Sequence, residues 1–233
     1  MKLLRSAVLA IALVAPALPG AAQVPPSSSE IAAYRGLHAA AYQGDVAAIE
    51  RLITGSRVAR EVLEALDAQG RTPLHVATFA RQRGAVMALL KGSANHAALE
   101  HGRYDAVTIA AVANDEETLR LLLAAGASAK LFTSRYDGTA LIAAAHLGHH
   151  GVVRQLIAAG APVDHVNNLH WTALIESIVL GDGGARHLAT LQALLDAGAN
   201  TQLADREGRT PLQLARARGY DAMVRALMAR GAR

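Results

Sequence analysis

A repeated stretch of sequence limits the folds open to this chain more than any other feature. Residues 70–77 read G-R-T-P-L-H-V-A, and residues 208–215 read G-R-T-P-L-Q-L-A. Weaker copies lie between these two, in steps of 33, 34, 33 and 38 residues. The copies start their motif at Thr72, Asp105, Thr139, Thr172 and Thr210. A period of this length predicts a stack of similar units.

A second motif recurs in phase with the first. The sequence L-L-A-A-G-A at residues 122–127 returns with substitutions at residues 156–161, 194–199 and 227–232. Residues 37–45 supply a divergent first copy. Each unit therefore holds two apolar helical segments. Neither segment can bury its apolar face alone, so the stack itself must form the core.

The local chemistry of each unit marks where its helices begin and end. Thr72 is placed to cap a first helix through its hydroxyl, and Pro73 stands at the first helical position, where no N–H is needed. Glycine suits a left-handed turn between the two helices, and asparagine tolerates that conformation better than most residues. These turn positions are Gly44, Asn114, Gly148, Gly181 and Gly219. The second helices are predicted to end at Gly126, Gly160, Gly198 and Gly231.

The motif T-P-L-H at residues 72–75 and its period resemble the ankyrin-repeat family. The copy at Thr210 departs at the histidine, and the copy at Asp105 departs at all four positions. The resemblance implies an all-α solenoid of about six helix-turn-helix units with short finger turns over residues 32–233. Two departures lengthen the pattern, at residues 57–66 and within residues 180–185. The second is either a tolerated surface insertion or a loop that contacts a partner.

The N-terminal segment has the order of a secretory signal peptide. Lys2 and Arg5 precede an apolar run over residues 6–18, and small residues stand before Gln23. We expect cleavage near Ala22, which makes residues 1–22 the signal peptide and residues 23–31 a flexible lead-in. The mature protein is then periplasmic or secreted. We expect no membrane association beyond export.

Composition excludes several other functions. Without Lys2 and Arg5, the 23 basic residues fall to 21 against 19 acidic ones. This small net charge does not indicate a surface that binds nucleic acid. The chain has no cysteine, so it has no thiolate metal site and no cysteine nucleophile. It also lacks the H-E-x-x-H, G-x-S-x-G and phosphate-loop motifs. We expect no enzyme activity and no cofactor.

The resemblance directs attention to two surfaces, the finger tips and the concave groove. The large side chains predicted at the tips are Arg71, Tyr104, Tyr136, Trp171 and Arg209. The groove is predicted to carry Phe79, Val112 and His146 within a mostly apolar stripe. Exposed aromatic and arginine side chains are typical interface anchors. The alternative is that the aromatic residues cover neighbouring repeats and that the stripe is partly buried beneath the fingers.

These features predict a monomeric protein that binds another protein without catalysis. A narrower form of this prediction is an inhibitor or immunity protein for an exported enzyme. The competing prediction is a periplasmic metal or small-ligand binder that uses the fourth-repeat histidines His146, His149 and His150. The arginines of the last copy form either a polar cap or a site for an acidic partner.

Overall fold

The computed structural model describes residues 23–54 and 59–233. The predicted signal peptide lies outside the described residues. In the described part, every regular element is helical, and one isolated bridge joins Thr133 to Gly138. The helices are α1 Ser28–Ala33, α2 Gly36–Gln43, α3 Val46–Ile53, α4 Ala59–Leu63, α5 Pro73–Phe79, α6 Arg83–Lys91, α7 Ala106–Val112, α8 Glu116–Ala124, α9 Ala140–His146, α10 His150–Ala158, α11 Ala173–Val179, α12 Ala185–Asp196, α13 Pro211–Ala217 and α14 Asp221–Ala229.

Six antiparallel pairs make up the stack, which confirms the predicted solenoid. The pairs are α2/α3, α5/α6, α7/α8, α9/α10, α11/α12 and α13/α14. The main helix contacts either lie within a pair or join a pair to its neighbour. Leucine and isoleucine fill the centre: Leu74, Ile109, Leu141 and Leu174 are each at most 1% exposed. Ala77, Ala110 and Ala144 are fully buried, so small side chains let the helices approach closely.

The predicted caps start the first helices. The side-chain oxygen of Thr72 accepts from the amide of His75, and Pro73 follows at the first helical turn. Asp105 replaces the threonine at α7 and accepts from the amide of Thr108 at 2.8 Å. Because one acceptor oxygen is enough to cap a helix, an aspartate or a threonine serves equally well here. The same role is played by Thr139, Thr172 and Thr210.

The turn positions that the sequence predicted agree with the structure except in the fifth repeat. Gly44, Gly148 and Gly219 have φ values of 75°, 70° and 70°, and Asn114 has φ 51°. Gly181 was predicted to take this conformation, and that prediction is wrong. The left-handed glycine is Gly183, with φ 69°. Gly181 is needed for space, because a Cβ there would lie 2.1 Å from the Ser177 carbonyl oxygen.

The insertion of the fifth repeat lengthens both a turn and a helix. Helix α12 has 12 residues, whereas α6, α8, α10 and α14 have 9 each. His187 near its start hydrogen-bonds the Asp182 carboxylate at 2.8 Å and the His146 carbonyl at 3.0 Å. The Tyr220 hydroxyl donates to the Gly181 carbonyl at 2.9 Å from the other side. The inserted loop is therefore tethered to both neighbouring repeats.

The segment expected to be a flexible lead-in is folded at its C-terminal half. Helix α1 begins after Ser27, which forms a reciprocal capping box with Glu30. Glu30 also contacts Arg71 at 3.3 Å, and the Val24 carbonyl accepts from the same guanidinium at 3.1 Å. No sequence pattern predicted this contact, because it joins two residues that are 41 positions apart. We call residues 24–34 the N-terminal arm.

Candidate functional site

Every finger begins with a polar residue that holds the loop closed. Asp67 accepts hydrogen bonds from the amides of Gln69 and Arg71 through Oδ1, at 2.8 and 2.9 Å. Its own amide donates to the Arg71 carbonyl at 3.0 Å. The equivalent closing bonds start from Glu100, Thr133, Asn167 and Asp205. These five positions are called the finger-start positions. The fingers are thus short, rigid loops that repeat along the stack.

Arg71, predicted to be exposed, is buried. Its side chain is 3% exposed and contacts Glu30 and Asp67, each at 3.3 Å. Its guanidinium also lies over the Phe79 ring, 5.7 Å from the centroid. The expected exposure of Arg71 is wrong, because the N-terminal arm covers the first finger. The same packing leaves Phe79 only half-buried in the groove.

The aromatic residues of the middle fingers are half-buried. Burial raises the pKa of Tyr104, and the nearby Glu100 carboxylate adds to the effect. The Trp171 ring packs against the edge of the hydrophobic core. The Tyr136 carbonyl accepts from the amide of Asn168 and joins two fingers. These side chains cover neighbouring repeats in part and leave the rest of each ring accessible.

The last finger exposes its arginine. Arg209 is 54% exposed, although its guanidinium contacts Asp205 at 2.7 Å and Glu207 at 3.1 Å. Burial opposes ionisation of Asp205, but hydrogen bonds from Arg209 outweigh it and lower the pKa of the carboxyl group. Arg209 is therefore the predicted tip residue that reaches solvent most fully.

Within the groove, His146 lies beside a carboxylate that the sequence pattern did not single out. Val112 is half-buried, and the His146 side chain is 46% exposed. His146 Nδ1 is 3.4 Å from Glu176 Oε2, and the Asn167 amide donates to Glu176 Oε1 at 3.0 Å. Glu176 is only 7% exposed. The groove stripe is consequently apolar except at this fourth-to-fifth repeat junction.

The other histidines mainly join repeats. His149 Nδ1 donates to the Ala111 carbonyl at 3.0 Å, and His38 Nε2 donates to the Arg71 carbonyl at 2.9 Å. His75 Nε2 donates to the Ala98 carbonyl at 3.0 Å, and burial lowers its pKa. Among the described residues, no group of three or more His, Cys, Asp or Glu side chains is arranged to hold a metal ion. His149 therefore links the fourth repeat to the third.

Sequence reasoning missed a row of exposed apolar side chains at the fingers. Each member directly precedes a finger-start position, and each is between 41% and 63% exposed. They are Leu66, Leu99, Phe132 and Val166, called here the apolar edge. The signal was present as an apolar residue one position before Asp67, Glu100, Thr133 and Asn167. The predicted tip residues instead follow the finger-start positions.

Comparison with family models places most of the chain in one class. A model for ankyrin repeats in three copies matches residues 107–205, and a single-repeat model matches residues 69–101 and 207–233. The putative ankyrin repeat protein YahD of Escherichia coli (strain K12) is 34% identical over 194 residues. That alignment covers 83% of this chain and 94% of YahD.

Solved structures agree on the fold. An ankyrin repeat domain from Acinetobacter baumannii AYE is 42% identical, with a TM-score of 0.79, covering 84% of this chain and 98% of that one. A predatory endopeptidase from Bdellovibrio bacteriovorus in complex with an immunity protein contains a chain that is 24% identical, with a TM-score of 0.69. The match covers 84% of this chain and 98% of that one, and it bears on the fold alone. In the described part of this chain, no helix is long and apolar enough to cross a membrane.

Proposed function

This chain belongs to the ankyrin-repeat family, and we propose that it binds another protein through its fingers and concave groove, without catalysing a reaction. Ankyrin repeats are protein-binding modules, so the general role follows from the family. The observation that carries the proposal is the row of fingers, each closed by its finger-start residue. Because loops that are rigid before binding lose little entropy on binding, such a row favours recognition of a macromolecule.

The proposed surface uses the predicted residues that the structure leaves accessible. Tyr104, Tyr136 and Trp171 offer half-buried rings, Arg209 offers an exposed guanidinium, and His146 lies in the groove beside Phe79 and Val112. Arg71 contributes by shaping the first finger, since its side chain is buried. We favour protein binding over the metal-binding alternative, because no group of three or more His, Cys, Asp or Glu side chains among the described residues is arranged to hold a metal ion.

Affinity capture with the tagged chain from periplasmic extract, followed by mass spectrometry, tests the binding function. A specific partner should be retained by the wild type and should titrate with 1:1 stoichiometry. Trp171→Ala should weaken its binding by about 2 kcal/mol. Because Trp171 also packs against the core, the urea midpoint of this variant must be measured in parallel. The absence of any saturable protein partner would refute the proposal.

We also propose that the protein is exported, on the strength of the charged, apolar and small-residue order of residues 1–22. In that compartment, a natural partner is an exported enzyme, and the chain would act as its inhibitor or immunity protein. N-terminal sequencing should find Gln23 as the first residue of protein from the periplasmic fraction. Recovery of cytosolic protein that begins at Met1 would refute export and leave the binding function standing.

A further inference from the structure

The apolar edge is the largest regular exposure of apolar side chains in the described part of the chain. Five other large apolar side chains in the described part of the chain are exposed, but they occupy unrelated positions of their repeats: Val24, Leu52, Met87, Leu180 and Met228. Isolated exposed residues of this kind need no explanation. The four residues of the apolar edge instead recur at one repeat position, and contiguous exposed apolar surface marks interaction sites.

Phe132 stands at the centre of this edge on a rigid support. Its ring is 54% exposed and stacks on His165, with centroids 4.4 Å apart and planes 16° apart. His165 Nε2 donates to the Asp137 carbonyl at 2.6 Å. The Asn168 side chain donates to the Arg135 carbonyl at 3.0 Å. Phe132 is therefore held in an exposed position before any partner arrives, as an interface anchor should be.

Three exposed basic side chains lie near this end of the apolar edge. Lys130 precedes Phe132 by two residues and lies beside Gly160 of the next repeat. Arg135 follows on the same finger, whose acidic residue Asp137 contacts Arg103 at 3.7 Å. None of the ion pairs among the described residues includes Lys130 or Arg135. Arg206 lies on the last finger and is bonded to the Asn168 carbonyl at 3.0 Å. Complementary charge on a partner would be acidic.

The spacing of the repeats limits the shape of the partner. Packed helices lie about 8–10 Å apart, so neighbouring members of the apolar edge are separated by about that distance. A polyproline II segment rises about 3.1 Å per residue and completes a turn in three residues. In such a segment, every third side chain lies on the same face, about 9 Å from the previous one. An extended segment of this kind can place one apolar side chain against each finger.

We propose that the apolar edge, with Lys130, Arg135 and Arg206, binds an extended acidic segment of a partner protein that carries an apolar side chain at every third residue. This inference rests on the proposed protein-binding function and specifies which part of the surface is used and by what chemistry. Apolar contact with Phe132 and Val166 supplies the anchor. The basic side chains select for acidic residues between the apolar ones.

A synthetic peptide of five L-P-E triplets, labelled with a fluorophore, is a direct probe. Fluorescence anisotropy should show saturable binding, and peptides of L-P-K or S-P-E triplets should bind at least tenfold more weakly. Equal affinity for the L-P-E and L-P-K peptides would refute the acidic preference. Tighter binding of a helical peptide of the same charge would refute the extended form. No saturable binding of the L-P-E peptide would refute the proposal as a whole.

Matched variants locate the binding site. Phe132→Ser should weaken L-P-E binding at least tenfold, whereas Met87→Ser, which changes an equally exposed residue on α6, should leave it unchanged. Arg135→Glu should weaken L-P-E binding and strengthen L-P-K binding. An unchanged affinity of Phe132→Ser would overturn the proposal. If Phe132→Ser still binds a captured partner that Trp171→Ala loses, the apolar edge is excluded but protein binding stands.

Discussion

The first and last complete fingers carry almost the same sequence but expose different side chains. Residues 70–74 and 208–212 both read G-R-T-P-L, and in both fingers the aspartate at the finger-start position accepts from the arginine amide. The Arg71 side chain is nevertheless 3% exposed, while Arg209 is 54% exposed. The motif therefore determines the backbone of the finger, and the neighbouring chain determines whether its arginine is buried.

The N-terminal arm makes the difference. It places Glu30, the Val24 carbonyl and the Tyr34 hydroxyl around Arg71. Within the described residues, no corresponding segment covers Arg209, which pairs with Asp205 and Glu207 of its own finger. A motif residue in a repeat protein consequently has a role that depends on its place in the stack. Four substitutions test this comparison, in order of decreasing expected effect.

Replacing Arg71 with alanine should have the largest effect. The change leaves the carboxylates of Glu30 and Asp67 without their guanidinium and removes the cover of the Phe79 ring. Breaking a buried ion pair in this way should lower the free energy of unfolding by about 3 kcal/mol. A urea titration measures this loss. A loss below about 1 kcal/mol would mean that the arm does not hold Arg71 in solution.

Asp67→Asn should have an intermediate and pH-dependent effect. Burial raises the pKa of Asp67, but hydrogen bonds from the Arg71 amide and the Tyr34 hydroxyl outweigh it, so the pKa is lowered overall. A carboxyl group with a lowered folded pKa stabilises the protein above its unfolded pKa of about 4, and this contribution disappears as the pH falls through the folded value. We expect the free energy of unfolding to drop by about 1.5 kcal/mol at pH 7. The asparagine keeps one side-chain oxygen to accept from the finger amides, but it loses the negative charge.

The difference between the wild type and Asp67→Asn should therefore shrink as the pH is lowered below about 4, through the lowered pKa of Asp67. Asn167 holds the fourth finger closed with the same two bonds, which shows that an asparagine fits at a finger-start position. Unfolding free energies measured across this pH range check the expectation. A difference that stays constant as the pH falls below about 4 would contradict it.

Tyr34→Phe should have a smaller effect that appears also at high pH. The hydroxyl donates to Asp67 Oδ2 at 2.8 Å, and burial with this bond raises the pKa of Tyr34 to about 12. Loss of the bond should cost about 1 kcal/mol at pH 7. Because the unfolded phenol ionises near pH 10, wild-type stability should fall between about pH 10 and pH 12. Tyr34→Phe should show a weaker fall in alkaline urea titrations.

Arg209→Ala should have the smallest effect and serves as the matched control for Arg71→Ala. Ion pairs between exposed side chains contribute little, so the free energy of unfolding should drop by less than about 0.5 kcal/mol. The same urea titration applies. Equal losses in the two arginine variants would show that the N-terminal arm does not distinguish the two fingers.

The sequence predicted the features that depend on near neighbours. Thr72 caps α5 and Asn114 adopts a left-handed turn, as their residue types indicated. The burial of Arg71 was missed because its partner Glu30 is 41 residues away. Gly181 was misplaced because the insertion moved the turn to Gly183. Phe132 was overlooked because an apolar residue before a finger-start position does not by itself show whether its side chain is exposed or buried.

The contacts between helices carry a mechanical consequence. The main contacts among the described helices run only between neighbouring pairs, so none of these contacts fixes the curvature of the whole stack. Small rotations between successive repeats add up along the stack and set its curvature. A stiff ligand laid across several fingers would select one curvature and restrict this bending. Its affinity would then vary with the elastic stiffness of junctions that it never touches.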